Sequence, residues 1–283
     1  MAGSTSHVRV GDIDIFVVTV GVGRPLLVIH GGPGLGTAYV RAFDALGDGQ
    51  QVIYFDQRGA GQSDLGDPAR LTFSGALDDL EGLRAALGLD QFDLLGHSIG
   101  GHLAYLYAAR QPERVRSLVL VDVGPPFVED LGEQLGAAMG ARRTHEDEAE
   151  LVAIEASAAF REREPGAVDR WVRNVYAPFF RDRAAMSRID FGLTAVGARN
   201  LVGGEERIMG TLAELDPVGS LGRIQCPTLV IHGELDPIPV AFSKLLAEAI
   251  PGARFELIPG VNHFAFVEDP EPFLGRVRDF LAA

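Results

Sequence analysis

A single lysine, a single cysteine and the lack of any long apolar run are the first features of this 283-residue chain. Lys244 stands in SKLL, a helix-like context, so a Walker phosphate loop, which needs lysine directly after its glycines, cannot be built here. Cys226 alone supports neither an intrachain disulfide framework nor a Cys-based zinc cluster. Its place just before PTLVIHG reads as a buried structural thiol. Nowhere do eighteen apolar residues run together, and the opening MAGSTSHVRVGD lacks a basic segment followed by an apolar core. We therefore expect a soluble, cytoplasmic protein. Basic residues are also outnumbered, 25 Lys and Arg against 39 Asp and Glu, for a net charge of -14. Neither nucleic acid nor an anionic membrane is an expected partner, because phosphate binding needs clustered cations.

With 47% of its residues hydrophobic, the chain can bury one α/β domain carrying an insertion, or two small domains. The short apolar runs IDIFVVTV, PLLVIHG, QVIYFD, FDLLGHS, SLVLVD, TLVIHG and RFELIP read as strands, with helical patterns between most of them. That alternation predicts a mostly parallel sheet flanked by helices. IDIFVVTV, next to VRVG, predicts instead an antiparallel hairpin opening the sheet. Helices are expected over Thr37 to Leu46, Thr72 to Leu87, Ser98 to Arg110, Pro239 to Ile250 and Pro270 to Leu281. The rhythm breaks after VDVGPP and resumes near Pro227, with strand-poor, Arg- and Glu-rich helical text between. This predicts a core over residues 1–125 and 218–283, with a helical cap inserted at 126–217. No internal repeat or low-complexity tether is present.

The stretch LLGHSIGG brackets Ser98 with Gly96 and Gly100. Apolar residues before it read as a buried strand and those from Leu103 to Ala109 as a helix, so Ser98 falls at a strand-to-helix corner. A sharp corner strains the serine backbone and leaves no room for side chains two positions either side, which accounts for both glycines. This is the nucleophile-elbow pattern. A serine hydroxyl needs a base to activate it and an acid to fix the tautomer of that base. TLVIHGELDPIP ends a strand and puts Asp236 in the next loop, and FELIPGVNHFAF ends the last strand and puts His263 in its loop. The chain order Ser98, Asp236, His263 is the one expected of α/β-hydrolases. Asp122, at the end of SLVLVD, is a rival for the acid. His30, His97, His102 and His232 read as packing or hydrogen-bonding residues near the site, and His7 and His145 as exposed.

HGGPG, from His30 to Gly34, follows a strand and precedes a helix. Acyl transfer creates an oxyanion that preorganised backbone N–H groups can hold, and the donors expected are those of Gly32 and of Ile99, the residue after the serine. GGPGLGT lacks the spacing of a dinucleotide-binding turn.

These residues resemble the α/β-hydrolase superfamily over nearly the whole chain. HGGPG and DQRGAGQS, from Asp56 to Ser63, resemble its prolyl aminopeptidase (proline iminopeptidase) branch. The resemblance implies an eight-stranded sheet, a helical cap over the site, no metal or organic cofactor, and cap carboxylates able to bind a substrate's free amine. It also implies that Asp56 and Arg58 hold loops together. Two features depart from that branch: Ile99 follows the serine where tryptophan is common, and AVGARNLVGGEER lacks a Glu-Asn-His-Tyr type stretch. The acids Glu129, Asp130, Glu133, Glu146, Asp147, Glu148, Glu150 and Glu155 read mostly as a solvated helix face. Of the cap rings Phe160, Trp171, Tyr176, Phe179, Phe180 and Phe191, some are expected to line an apolar acyl pocket.

The expected function is that of a serine hydrolase acting through an acyl-enzyme on a small molecule or short peptide. Serine rather than aspartate at the elbow argues against dehalogenase or epoxide hydrolase chemistry. Four readings stay open: a carboxylesterase for small apolar acyl groups, a prolyl aminopeptidase, a lactonase or carbon-carbon bond hydrolase, and a non-catalytic ligand receptor on the same fold. The oligomeric state is not legible.

Overall fold

The apolar runs become eight strands: β1 (Ser4–Val10), β2 (Ile13–Val20), β3 (Val22–Ile29), β4 (Asp48–Phe55), β5 (Phe92–His97), β6 (Val115–Val121), β7 (Thr228–Gly233) and β8 (Arg254–Ile258). In the computed structural model, which describes residues 3–124 and 131–283, they form one sheet in the order β1-β2-β4-β3-β5-β6-β7-β8. β1 and β2 make the expected antiparallel hairpin, and β2 joins β4 antiparallel. All other pairings are parallel. Every residue of β5 and β7 is buried, as befits central strands covered on both faces.

Apolar side chains collect in two clusters, one containing Val28, Leu95 and Ile231, the other Leu27, Leu94 and Val230. The alternation along each strand thus assigns neighbours to opposite layers. Helices α1 (Phe73–Ala86) and α2 (Ile99–Arg110) precede and follow β5. Ten residues of α2 are buried, which is why its sequence is apolar almost all round rather than along one stripe.

The segment Thr37–Gly47 winds as 3₁₀ turns, not as the α-helix its pattern suggested. Its buried Thr37, Val40, Phe43 and Leu46 recur every three residues, and a 3₁₀ winding brings that spacing onto one line, where an α-helix would fan it out.

Between β6 and β7 the described residues contain only helices and turns: α3 (Leu131–Gly140), α4 (His145–Glu155), α5 (Ala158–Arg161), α6 (Pro165–Tyr176), α7 (Ala195–Leu201), α8 (Gly204–Gly210), α9 (Pro217–Leu221) and short 3₁₀ turns. The chain then completes the sheet, with α10 (Val240–Ala249) between β7 and β8 and α11 (Ala265–Glu268) and α12 (Pro270–Ala282) at the end. The loops after β3, β5, β6, β7 and β8 all leave from strand carboxyl ends, where parallel sheets place their crevices.

Candidate active site

Ser98 sits between β5 and α2, at the N-cap of α2, with φ of 54° and ψ of -126°. A non-glycine residue there is strained, at a cost on the order of 1–3 kcal/mol. The surrounding backbone enforces it: Ser98 N–H donates to the Val121 carbonyl and Gly101 N–H to the Ser98 carbonyl, both at 2.9 Å. The bracketing glycines follow from contact distances. A Cβ on Gly96 would lie 2.5 Å from the Gly100 oxygen, and one on Gly100 would lie 2.5 Å from the His30 oxygen. Neither position can carry a side chain while the corner stays this tight.

Asp236 and His263 meet across the ends of β7 and β8. The His263 ring donates from Nδ1 to Asp236 Oδ2 at 2.7 Å, and Asp236 Oδ1 accepts from the Ile238 N–H at 2.8 Å. Burial alone would raise the Asp236 carboxyl, but the charge and hydrogen bond of His263 outweigh it and hold it below the ordinary carboxylate value. The backbone of His263 is fixed in turn, its N–H donating to Asn262 Oδ1 at 2.9 Å.

The rival Asp122 is present but differently placed. It has φ of 51° and no exposure, its Oδ1 accepts from Gly233 N–H at 2.8 Å, and its Oδ2 has no hydrogen-bond partner among the described residues. Burial and then the charge of Asp236 push its pKa well above the ordinary value. The partner of the imidazole is therefore Asp236, while Asp122 sits behind it, 3.5 Å from Nδ1 of His232.

Ser98, His263, Gly32 and Ile99 line a single cavity of about 230 Å³. Ile99 is the first residue of α2, so its N–H has no acceptor within the helix, and Gly32 turns the loop with φ of 62°. The remaining wall is mostly apolar: Leu35, Leu135, Met139, Val175, Phe179, Ile238 and Phe264, with Tyr39, Tyr176 and His97. None of the described lining residues is a carboxylate.

Of the six cap rings singled out from sequence, Tyr176 and Phe179 reach this cavity. Phe160 packs on Trp171 at 5.7 Å, Phe180 stacks on Phe264 at 4.6 Å, and Phe191 is wholly buried. Glu133, Glu146, Glu148, Glu150 and Glu155 are exposed and Asp147 pairs with Arg183, whereas Glu129 and Asp130 lie outside the described residues.

DQRGAGQS acts as a fastener. Asp56 accepts from the N–H groups of Thr37 and Gln62, each at 2.7 Å, and Arg58 pairs with Asp79 at 2.7 Å and Asp12 at 2.9 Å. His30 accepts from Gln57 N–H at Nε2, which leaves Nδ1 to donate to the Gly31 carbonyl. His232 is buried beside Ser243, and His102 packs against Phe73 and Tyr105 in the layer away from the cavity. His7 and His145 are exposed. Two clusters of donor atoms lie within 4.8 Å, His97 with Asp122 and His263, and Asp122 with His232 and Asp236. In them His263 Nδ1 is bonded to Asp236, His97 to the Tyr39 hydroxyl and the His263 carbonyl, and Asp122 Oδ1 to the Gly233 N–H. Cys226 is buried, and burial pushes its thiol up to about 11, leaving it a structural residue.

Residues the sequence reading overlooked also stand here. Tyr39 lines the cavity from the 3₁₀ segment, and its hydroxyl lies between Gly31 and His97. Only the apolar spacing of TAYVRAF was visible in sequence.

The serine corner, the Asp236–His263 pair and the sheet order point to one fold family. Over residues 24–270 the chain matches the α/β-hydrolase fold family. It belongs to that family, and it is a hydrolase. A proline iminopeptidase of Levilactobacillus brevis is 29% identical over 274 residues, covering 92% of this chain and 88% of the relative. The crystal structure of a proline iminopeptidase from Mycobacterium smegmatis aligns with a TM-score of 0.71 at 25% identity, covering 99% of this chain and 98% of that one. Est816, described as an N-acyl homoserine lactone degrading enzyme, aligns with a TM-score of 0.66 at 26% identity, covering 97% and 100%. No helix among the described residues is long and apolar enough to cross a membrane.

Proposed function

We propose that this α/β-hydrolase is a serine hydrolase that cleaves small apolar carboxylic esters through an acyl-enzyme. Ser98 Oγ attacks the carbonyl carbon, and the Nε2 side of His263 takes the hydroxyl proton. Asp236, bonded to Nδ1, keeps the ring in the tautomer that can do so. The oxyanion is received by the N–H groups of Gly32 and Ile99, His263 returns the proton to the departing alkoxide, and water repeats the sequence to release the acid. Within the cap expected at 126–217, the described residues 131–217 close the cavity through Leu135, Met139, Val175, Tyr176 and Phe179.

The observation that carries the substrate reading is the apolar wall around Ser98. A volume of about 230 Å³ suits a short acyl chain better than a peptide. Among the described residues nothing in the wall offers a counter-charge to a substrate ammonium. A second reading, a prolyl aminopeptidase, is favoured by the names of the sequence relatives and by HGGPG. The pyrrolidine ring is itself apolar and would suit the same wall. Similar identities to a proline iminopeptidase and to a lactone-degrading enzyme leave substrate class to be decided by the cavity rather than by relatedness.

Parallel assays separate the readings. Brisk hydrolysis of an aryl butyrate, with proline arylamide and its N-acetylated form both turned over poorly, is the expected result. A preference of about tenfold or more for free over acetylated proline arylamide, the effect of one desolvated charge pair, would establish the peptidase instead. Binding of such esters with no turnover would mark a ligand receptor.

A further inference from the structure

We infer that Tyr39 and His97 form a proton-ordered relay that ties the oxyanion loop to the loop of the catalytic base, acting as positioning residues for acyl transfer. The inference rests on the serine hydrolase reading above, in which Gly32 belongs to one loop and His263 to the other.

The order of protons in the relay follows from its two ends. The Gly31 N–H can only donate, so the Tyr39 oxygen, 2.5 Å away, accepts. The hydroxyl proton of Tyr39 is then free to go to Nδ1 of His97, at 2.9 Å. An Nδ1 that accepts carries no proton, so the ring proton sits on Nε2, which faces the His263 carbonyl oxygen at 3.1 Å and donates to it. The opposite tautomer would set a lone pair against that carbonyl and a ring N–H against the tyrosine hydroxyl. An imidazolium would also meet the hydroxyl with a second proton.

The surroundings favour this one arrangement. Tyr39 is 3% exposed, His97 1% and His263 4%, so apart from the cavity they line, the members of the relay are shielded from solvent. Burial, and then the charge of nearby His263, lower the His97 pKa well below its ordinary value, and burial raises that of Tyr39. The titratable groups around His97 are His263, with ring centroids 4.7 Å apart, the Tyr39 hydroxyl, Asp122 within 4.8 Å, and His30 farther off. Asp122 is itself held toward its neutral form, chiefly by burial. Rings of Phe264 and Phe266 pack on His97 and leave it little room to rotate.

The geometry links both sides of the reacting carbonyl. One end of the relay holds Gly31, next to the oxyanion residue Gly32, and the other holds the backbone of the base. His97 is the residue before the nucleophile. A shift in any member therefore moves donor and base together, and small misplacements at a reacting centre carry large rate penalties.

The test uses the intact chain and an aryl butyrate. Active-site titration with a fluorophosphonate counts competent sites, so rates are compared per site. Tyr39→Phe removes only the oxygen and is expected to lower kcat about 10- to 100-fold while KM changes less than about threefold. His97→Leu is expected to lose a similar factor, and Tyr39→Phe/His97→Leu no more than the larger single loss, because the two act as one unit. A kcat per site within about twofold of wild type for Tyr39→Phe, or losses that multiply in the double variant, would overturn the relay. If either variant does not fold, ¹⁵N spectra of histidine in the wild-type protein decide. An unprotonated Nδ1 and protonated Nε2 on His97, unchanged between about pH 6 and 9, are expected, and a ring that titrates in that range or carries its proton on Nδ1 contradicts the proposal. Wild-type protein that neither reacts with the fluorophosphonate nor hydrolyses the ester would overturn the serine hydrolase reading itself, a different failure.

Discussion

Around Ser98 the polar residues are held by directional hydrogen bonds, whereas the helices between β6 and β7 offer apolar side chains to the cavity and acids to solvent. Asp236 is fixed by Ile238 N–H, His263 by Asn262, and the serine corner by Val121. Leu135, Met139 and Val175 meet the same cavity with no polar partner to hold them in one orientation. The contrast separates two design problems. Reaction geometry needs directional bonds with little tolerance, and shape selection needs only volume and dryness.

The sharpest way to break this division is at the acid. Asp236→Asn keeps the shape of the side chain but permits the wrong tautomer of His263, and should lower kcat by a factor on the order of 10⁴. Asp122→Asn should cost less than about tenfold, since Asp122 does not bond the ring and a neutral amide resembles the neutral acid that burial favours there. Steady-state rates on an aryl butyrate compare the two. A reversal would put the working acid at the end of β6.

A milder effect belongs to the cavity wall. Met139→Trp adds bulk where the chain imposes only volume, so kcat/KM for an aryl butyrate relative to the acetate should fall by about tenfold, the worth of one or two methylenes in an apolar pocket. Ser98 labelling by a fluorophosphonate should persist, because the corner is untouched. Equal losses on both esters would mean that the helices do more than shape the pocket.

The smallest expected effect concerns stability. Asp122 is held toward its neutral form in the fold, so its pKa is raised above the unfolded value, and the unfolded chain binds fewer protons than the native one as pH rises past the unfolded pKa. Native stability therefore carries a penalty at neutral pH that disappears below about pH 4, the ordinary range of the group. Asp122→Asn removes the ionisation and should raise Tm at pH 7. The gain should shrink toward pH 4. A gain that grew on acidification would reverse the sign of the argument.

What could be read from the sequence follows the same contrast. Gly96 and Gly100 were legible because a Cβ at either would collide with backbone, and a constraint of that kind leaves only one residue type. Asp236 and His263 were legible because each follows an apolar run that had to be a strand, which fixes the edge of the sheet where they emerge. Tyr39 was not, since its bond to His97 spans 58 residues and any buried tyrosine of a short apolar segment looks alike in sequence. The winding of Thr37–Gly47 was ambiguous because a period of three and one of 3.6 barely diverge over so few residues. Leu135 and Met139 were hidden for a further reason. An apolar residue facing a cavity and one facing another helix satisfy the same pattern.

The central claim, that Ser98 is the residue acylated by substrate, is tested most directly by mass-spectrometric mapping of a fluorophosphonate adduct on the native protein. The adduct should fall on Ser98, require His263, and vanish in Ser98→Ala protein that retains its cooperative thermal transition. An adduct on another residue, or one that survives Ser98→Ala undiminished, would contradict the account.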